Sequence, residues 1–275
     1  MITLVNGKQS DSIAVTDRGF QYGDGLFETI AVHRGTPLLW EAHLQRLSTD
    51  CRRLQLDMPA SNLLLEELSY VCAGTERTVV KIILTHGATG RGYARTAGSQ
   101  ATRVVSAHAW PDFPPHCAST GVAVRWCQAT LGRNPRLAGI KHLNRLEHII
   151  ARAEWGTDYT EGLICDQAGY VIEGTMSNVF ALFGDTLITP DLSQSGVAGV
   201  MRAHVLRSAH DLKLACKEDW ITPAQLETAD ELFLTNSIIG VWPIRTLAAR
   251  SYTIGKTTHT IQTAIKAAQC FQNRV

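Results

Sequence analysis

The chain has 275 residues and a mass of 30.1 kDa, enough at about 100–200 residues per domain for one large domain or two modest ones, and too long for a disulfide-stapled miniprotein. Its 26 Lys and Arg against 25 Asp and Glu leave a net charge of +1, with no excess to attract a nucleic-acid backbone or an anionic membrane. A composition of 45% hydrophobic and 19% charged residues is that of an ordinary globular protein and excludes wholesale disorder. The seven cysteines (Cys51, Cys72, Cys117, Cys127, Cys165, Cys216, Cys270) are scattered, with no C-x-x-C pair, which argues for free thiols in a reducing compartment rather than a metal ribbon. The opening Met1-Ile-Thr-Leu-Val-Asn-Gly7 lacks the basic start and apolar stretch of a signal peptide, and no apolar run approaches the roughly 20 residues of a membrane span. A cytoplasmic protein without membrane or nucleic-acid partners is expected.

In chain order, Gly23-Asp24-Gly25 punctuates the sequence and Leu26 to Val32 reads as a short apolar strand. Glu41 to Leu54 is predicted to be a helix, because Leu44, Leu47, Cys51 and Leu54 recur at spacings of three and four and line one face, with Arg46 beside the stripe. A helix at Ser61 to Ala73 and a strand at Thr78 to Thr85 complete a small α/β unit, residues 1–110. Prolines at 111, 114 and 115 break regular structure and mark residues 111–120 as an interdomain linker. A larger domain is then expected over 121–275. It opens with a strand at Gly121 to Cys127, a turn at Gly132 to Pro135, and an amphipathic helix from His142 to Trp155 on Leu143, Leu146, Ile150 and Ala153. Two consecutive hairpins follow, Gly162–Cys165 with Tyr170–Glu173 and Asn178–Phe183 with Thr186–Thr189. Beyond them come a glycine-flanked entry, Ser195 to Met201, leading into a helix that runs to about Leu214, a short helix starting at Thr222-Pro223, strands at Glu231–Thr235 and near Val241–Ile244, and a terminal helix after Lys256.

The common motifs of nucleotide, zinc and serine-hydrolase chemistry are missing: there is no Walker loop, no H-E-x-x-H, no G-x-S-x-G and no G-x-G-x-x-G after the first strand. What stands out is a lysine at a loop-to-helix junction (Lys141), an acid at a strand end (Glu173), an arginine on an early helix (Arg46), and a glycine-framed helix start at Gly199 to Met201. Pyridoxal phosphate needs such parts: an amine for its aldehyde, a carboxylate to keep its ring nitrogen protonated, and donors for its phosphate, which helix N-termini supply. Each residue also has a plainer reading. Lys141 could be a solvated surface lysine, Glu173 and Arg46 exposed charges or ion-pair members, and Gly199 a structural cap. On local physics, pyridoxal phosphate is one hypothesis among several.

The segment Leu131-Gly-Arg-Asn-Pro-Arg-Leu-Ala-Gly-Ile-Lys-His-Leu-Asn-Arg-Leu-Glu147 closely resembles the lysine segment of aminodeoxychorismate lyases, a family of fold type IV pyridoxal-phosphate enzymes. Further matches follow in order: Asp17 to Thr29, His43 to Leu47, Gly90 to Tyr93, Val171 to Gly174, Ser177 to Phe180 and Gly199 to Arg202. The resemblance implies a two-domain α/β (α+β) fold like that of D-amino acid aminotransferases, a homodimer, and active sites at the domain and subunit boundary. It implies that Lys141 forms the Schiff base with pyridoxal 5'-phosphate and shuttles protons, that Glu173 pairs with the pyridine nitrogen, and that Arg46 holds the phosphate. Backbone N–H groups of Val200, Met201, Ser237 and Ile238 would add phosphate donors. Arg145 falls where related aminotransferases have a tyrosine near the cofactor hydroxyl.

By the same resemblance the substrate is the small molecule 4-amino-4-deoxychorismate, and loss of its enolpyruvyl group yields p-aminobenzoate and pyruvate. Thr29 matches a threonine near the reacting group, and Arg91 would grip a substrate carboxylate with Tyr93 beside it. An aminotransferase for D-amino acids, branched-chain amino acids or small amines would share every cofactor contact. Tyr93 in place of a histidine disfavours the D-amino acid version; Glu28 occurs in aminotransferase versions of the motif, whereas Thr29 points to the lyase.

Overall fold

The computed structural model describes residues 2–95 and 98–272, the last five of these by backbone only. The chain forms two compact units, one of residues Met1–Pro111 with Ile140–Asn144, the other of Asp112–Gly139 with Arg145–Val275. Sequence reasoning expects one division near 111–120; residues 140–144 depart from it, because they hydrogen-bond to the first unit's sheet and bury Ile140 in its core.

The first unit contains β1 (Thr3–Val5), β2 (Lys8–Gln9), α1 (Arg18–Tyr22), β3 (Gly25–His33), β4 (Thr36–Pro37), α2 (Trp40–Leu54), α3 (Ser61–Val71), β5 (Arg77–Thr85) and β6 (Thr102–Ala109). Its six-stranded antiparallel sheet has the order β2-β1-β6-β5-β3-β4. Strand alternation puts Leu26, Glu28, Ile30 and Val32 on the buried face of β3. They share a core with Leu47 and Cys51 of α2 and Leu64 and Leu68 of α3, and Leu44 and Leu54 pack against it, as the helical stripe requires. Burying these apolar faces is what holds the two helices on the sheet.

The second unit contains α4 (Cys117–Thr120), β7 (Val122–Leu131), α5 (Leu146–Arg152), β8 (Glu161–Asp166), β9 (Val171–Gly174), β10 (Asn178–Phe183), β11 (Thr186–Pro190), α6 (Val200–Asp211), β12 (Ala215–Asp219), α7 (Pro223–Glu227), β13 (Glu231–Asn236), β14 (Gly240–Leu247), β15 (Arg250–Ser251) and α8 (Lys256–Gln272). Eight strands run in the order β12-β11-β10-β13-β14-β7-β8-β9, with β15 paired to β14. Both expected hairpins are present, β8 with β9 and β10 with β11. The short helix α7 starts on a capping box, in which the Thr222 side chain accepts from the Gln225 N–H and the Gln225 side chain accepts from the Thr222 N–H.

Two expectations need correction. The segment 111–120 is not an unstructured linker throughout: Cys117–Thr120 forms a helical turn, and Cys117 is buried in the second unit's core. The helix expected over His142 to Trp155 begins only at Leu146, because residues 140–144 are drawn out as an extended segment of the first unit. Its large apolar residues are not core residues either, since Leu146 is 72%, Ile149 61% and Ile150 59% exposed. Periodicity identifies a helix face but not what that face meets. Of the cysteines, Cys51, Cys72 and Cys117 are buried free thiols, and Cys127, Cys165 and Cys216 are half-buried free thiols; the side chain of Cys270 lies outside the described residues. Among the described residues no helix is long and apolar enough to cross a membrane.

Candidate active site

Lys141 sits on the short extended segment beside the start of β3. The Phe27 N–H donates to the Lys141 carbonyl and the Leu143 N–H to the Gly25 carbonyl, both at 3.0 Å, and Leu26 and His142 form an antiparallel bridge. Because β4 pairs with β3 only at Val32 and His33, this end of the strand has an edge for the segment to occupy. Asn144 ends it by donating its side-chain amide to the Gly23 carbonyl at 3.2 Å. Gly23 has φ +66°, and a Cβ there would lie 2.4 Å from Asn144 Oδ1, so the tight approach requires glycine. With Ile140 wholly buried, alternation turns the next side chain the other way. Lys141 Nζ accordingly lies 4.2 Å from the centroid of the Phe27 ring. Thr29 is half-buried two residues further along the same face of β3, opposite Lys81.

A buried polar group lies against α2. His43, Arg46 and Asp50 recur at spacings of three and four, beside the apolar stripe. The Glu28 carboxylate, 1% exposed, accepts from His43 Nδ1 at 2.6 Å and from Arg46 Nε at 2.8 Å, and Arg46 Nη2 contacts its second oxygen. Burial alone would raise the Glu28 pKa, but the charges of Arg46 and His43 and their hydrogen bonds outweigh it and hold the group at about 2. Burial pushes the His43 pKa down against the pull of Glu28, and His43 Nε2 is buried without a hydrogen-bond partner. Glu28 thus fixes the Arg46 guanidinium from one side by a two-point ion pair. Asp50, 4% exposed, accepts the Lys141 backbone N–H at 3.0 Å. Burial pushes its pKa up to about 6, against the Lys141 hydrogen bond and the charge of Arg46.

Arg91 and Tyr93 are exposed on a loop of the first unit, with Tyr93 edge-on to Tyr22 at 5.5 Å. The loop is anchored by Arg18, which is buried, ion-paired to Asp24 at 2.7 Å, and donates to the carbonyls of Gly92 and Tyr93 at 3.0 and 3.1 Å.

In the second unit Glu173 lies in β9 as a buried carboxylate. Its Oε1 accepts from His148 Nε2 at 2.9 Å; its Oε2 accepts from the Val197 N–H at 2.9 Å and from Asn178 Nδ2 at 3.3 Å. Asn178 also donates to the Val197 carbonyl at 2.9 Å, tying Glu173 to the segment that leads into α6. Arg145, half-buried just before α5, has its pKa lowered by burial, with Glu173 and Glu147 pulling the other way. Helix α6 starts at Val200 and Met201 with Gly199 as a cap that has no side chain to accept from them, so its first N–H groups suit an anion. A Cβ on Gly199 would meet Asn178 Oδ1 at 2.1 Å. Opposite Asn178 in the β10–β13 register lies Thr235, whose hydroxyl is fully buried without a partner. Ser237 and Ile238 lie in the turn between β13 and β14, where the Ile238 N–H expected for phosphate already donates to Asn236 Oδ1 at 2.8 Å.

The first unit therefore brings Lys141 and Arg46 together with Glu28, His43 and Asp50, and sets Arg91 and Tyr93 apart on an exposed loop. The second brings Glu173, Arg145 and the start of α6 together through His148, Asn178 and Val197. Sequence reasoning assigns no role to His43, Asp50, His148 or Asn178; for the first two, the polar spacing along α2 is the signal that could have found them. The donor set fits pyridoxal phosphate. An uncapped helix start suits its phosphate, a buried carboxylate its ring nitrogen, and a lysine with a fixed backbone its aldehyde.

Residues 25–247 match the model of the amino-transferase class IV family, and the chain belongs to this family of pyridoxal-phosphate enzymes. It is 34% identical over 263 residues to an aminodeoxychorismate lyase of Vibrio harveyi, covering 94% of this chain and 97% of that one. The crystal structure of 4-amino-4-deoxychorismate lyase from Pseudomonas aeruginosa superposes with a TM-score of 0.93 at 41% identity, covering 97% of this chain and 98% of the other. A branched-chain amino acid aminotransferase of Escherichia coli has the same fold, with a TM-score of 0.87 at 21% identity over 98% of this chain and 94% of its own.

Proposed function

We propose that this chain is a pyridoxal 5'-phosphate-dependent lyase that converts 4-amino-4-deoxychorismate to p-aminobenzoate and pyruvate, acting in the cytoplasm as a homodimer in folate biosynthesis. The observation that carries the reading is near full-length likeness to two proteins of that name, at 34% and 41% identity. The cofactor, when bound, supplies an electron sink for the pair left behind as the substrate loses its C4 proton.

Lys141 has the amine to bind the cofactor aldehyde and then to take the C4 proton, and its backbone is fixed on both sides. Arg46, braced by Glu28, would offer its guanidinium to the phosphate, which the N–H groups of Val200 and Met201 and the turn at Ser237 would also hold. Glu173 would offer its buried carboxylate to the ring nitrogen, with Arg145 nearby. Thr29 assists the proton at the reacting carbon, and Arg91 with Tyr93 receives a substrate carboxylate. Because the product is aromatic, the elimination runs downhill, and the protein's task is orientation and proton placement. The homodimer reading is supported by the exposed apolar side chains of α5, a patch of the kind that marks subunit contacts.

The test is incubation of the cofactor-loaded protein with 4-amino-4-deoxychorismate and detection of p-aminobenzoate by its fluorescence. Product is expected from the wild type and not from Lys141→Ala, which should fold but lose the visible band of the lysine–cofactor linkage. A transaminase is the second reading. It is favoured by Glu28 and by 27% identity over 97% of this chain to a D-alanine aminotransferase of Bacillus licheniformis. A wild type that shows the band and transfers amino groups but forms no p-aminobenzoate would decide for it.

A further inference from the structure

Any role for Lys141 as an amine depends on where its side chain leaves the backbone, and the two polar groups of its backbone are held by different means. The carbonyl takes the Phe27 N–H in an ordinary strand contact that any residue at 141 could make. The N–H instead leaves the ladder and donates to Asp50 Oδ2 at 3.0 Å, a bond that depends on one side chain. Asp50 is 4% exposed, and α2 is packed on the sheet by Leu47 and Cys51, so the acceptor stands on a rigid element.

We propose that Asp50 is a positioning residue for the reaction, fixing the peptide of Lys141 so that the amine is delivered in one direction. The inference rests on the reading of Lys141 given above. A lysine amine ends a four-carbon stem, so a small turn of the peptide becomes a large displacement at Nζ, and a reacting atom out of place by 1 Å can cost about a hundredfold in rate. A carboxylate makes a stronger acceptor for this N–H than a neutral group. The placement costs the fold something, because burial resists ionisation and raises the pKa to about 6. The charged groups facing Asp50 are Arg46 and Arg53 of its own helix and Glu28 of β3.

The experiment adds pyridoxal 5'-phosphate to the cofactor-free full chain and follows formation of the visible band by stopped flow, alongside kcat and KM with 4-amino-4-deoxychorismate. Asp50→Ala removes the acceptor, and both the rate of band formation and kcat should fall by about tenfold or more with little change in KM. Asp50→Asn keeps an oxygen at the same place and should restore most of both rates, with near-ultraviolet circular dichroism confirming that each variant folds. The proposal is overturned if Asp50→Ala forms the band as fast as wild type, or if Asp50→Asn is as slow as Asp50→Ala, since charge and not the hydrogen bond would then be what counts. Absence of any borohydride-stable adduct at Lys141 in the wild type would instead remove the reading of Lys141, and this proposal with it.

Discussion

Replacing Asp50 by Asn should make the cofactor-free protein more stable at neutral pH and no more stable in acid. The carboxyl has an ordinary pKa of 3.8 and is pushed up to about 6 in the fold, chiefly by burial. Between those values the folded protein keeps a proton that the unfolded chain has released. Ionisation therefore works against folding: the penalty is absent below 3.8, grows as pH rises, and is complete above about 6. The gap corresponds to about 3 kcal/mol. Asn cannot ionise, yet it presents an oxygen to the same Lys141 N–H. The difference in unfolding free energy between the two proteins, from urea midpoints at a series of pH values, should rise through the window from 3.8 to 6 and level off beyond it. In thermal scans the gain at neutral pH should appear as roughly 2–4 °C per kcal/mol. A difference that stays constant across the series would refute the reasoning, because it would mean that Asp50 titrates alike in both states.

Other residues give further expectations. Glu173→Gln should still bind cofactor but turn over about a hundredfold more slowly, as the ring nitrogen loses its anionic partner; steady-state kinetics on the loaded variant would decide, and wild-type kcat would remove Glu173 from that role. Gly199→Ala should weaken cofactor binding with little effect on the position of the visible band, because the new Cβ would lie 2.1 Å from Asn178 Oδ1 and push back the start of α6. Equilibrium dialysis measures it, and unaltered affinity would mean that the phosphate is held elsewhere. Glu28→Gln leaves the Arg46 guanidinium beside a neutral amide and should raise the cofactor dissociation constant by about tenfold. Binding as tight as wild type would show that Arg46 needs no brace.

The elements that could be read from sequence are those whose signal is local. The stripe Leu44, Leu47, Cys51, Leu54 announces α2, and the Gly184-Asp185 turn between apolar runs announces the β10–β11 hairpin. No local signal marks strand β6, which is held by β1 and β5, distant in sequence, and whose own residues show no clean alternation. Periodicity starts helix α5 too early, since nothing local says that the chain at Ile140 leaves one unit for the other. Lys141, Arg46 and Glu173 stand out as residue types in suggestive places, but the roles proposed for them come from a family resemblance carried by their motifs. Their supports were not legible: that Glu28 and Asp50 are buried, and that Glu28 braces Arg46 while Asp50 holds Lys141, depends on which side of α2 meets the sheet.

The segment that carries Lys141 also bears on how the first unit can come into being. Synthesis delivers residues 1–111 well before 140–144, so a nascent chain of that length presents the edge of β3 at Gly25 to Phe27 unpaired and leaves a hole where Ile140 belongs in the core. An open strand edge and an apolar cavity both favour association with other chains over correct closure. A protein cut at Pro111 should for the same reason be insoluble, although the cut falls at the end of that continuous stretch. The last piece to close this sheet is the piece that carries Lys141, so the unit cannot complete its structure without at the same moment acquiring that side chain.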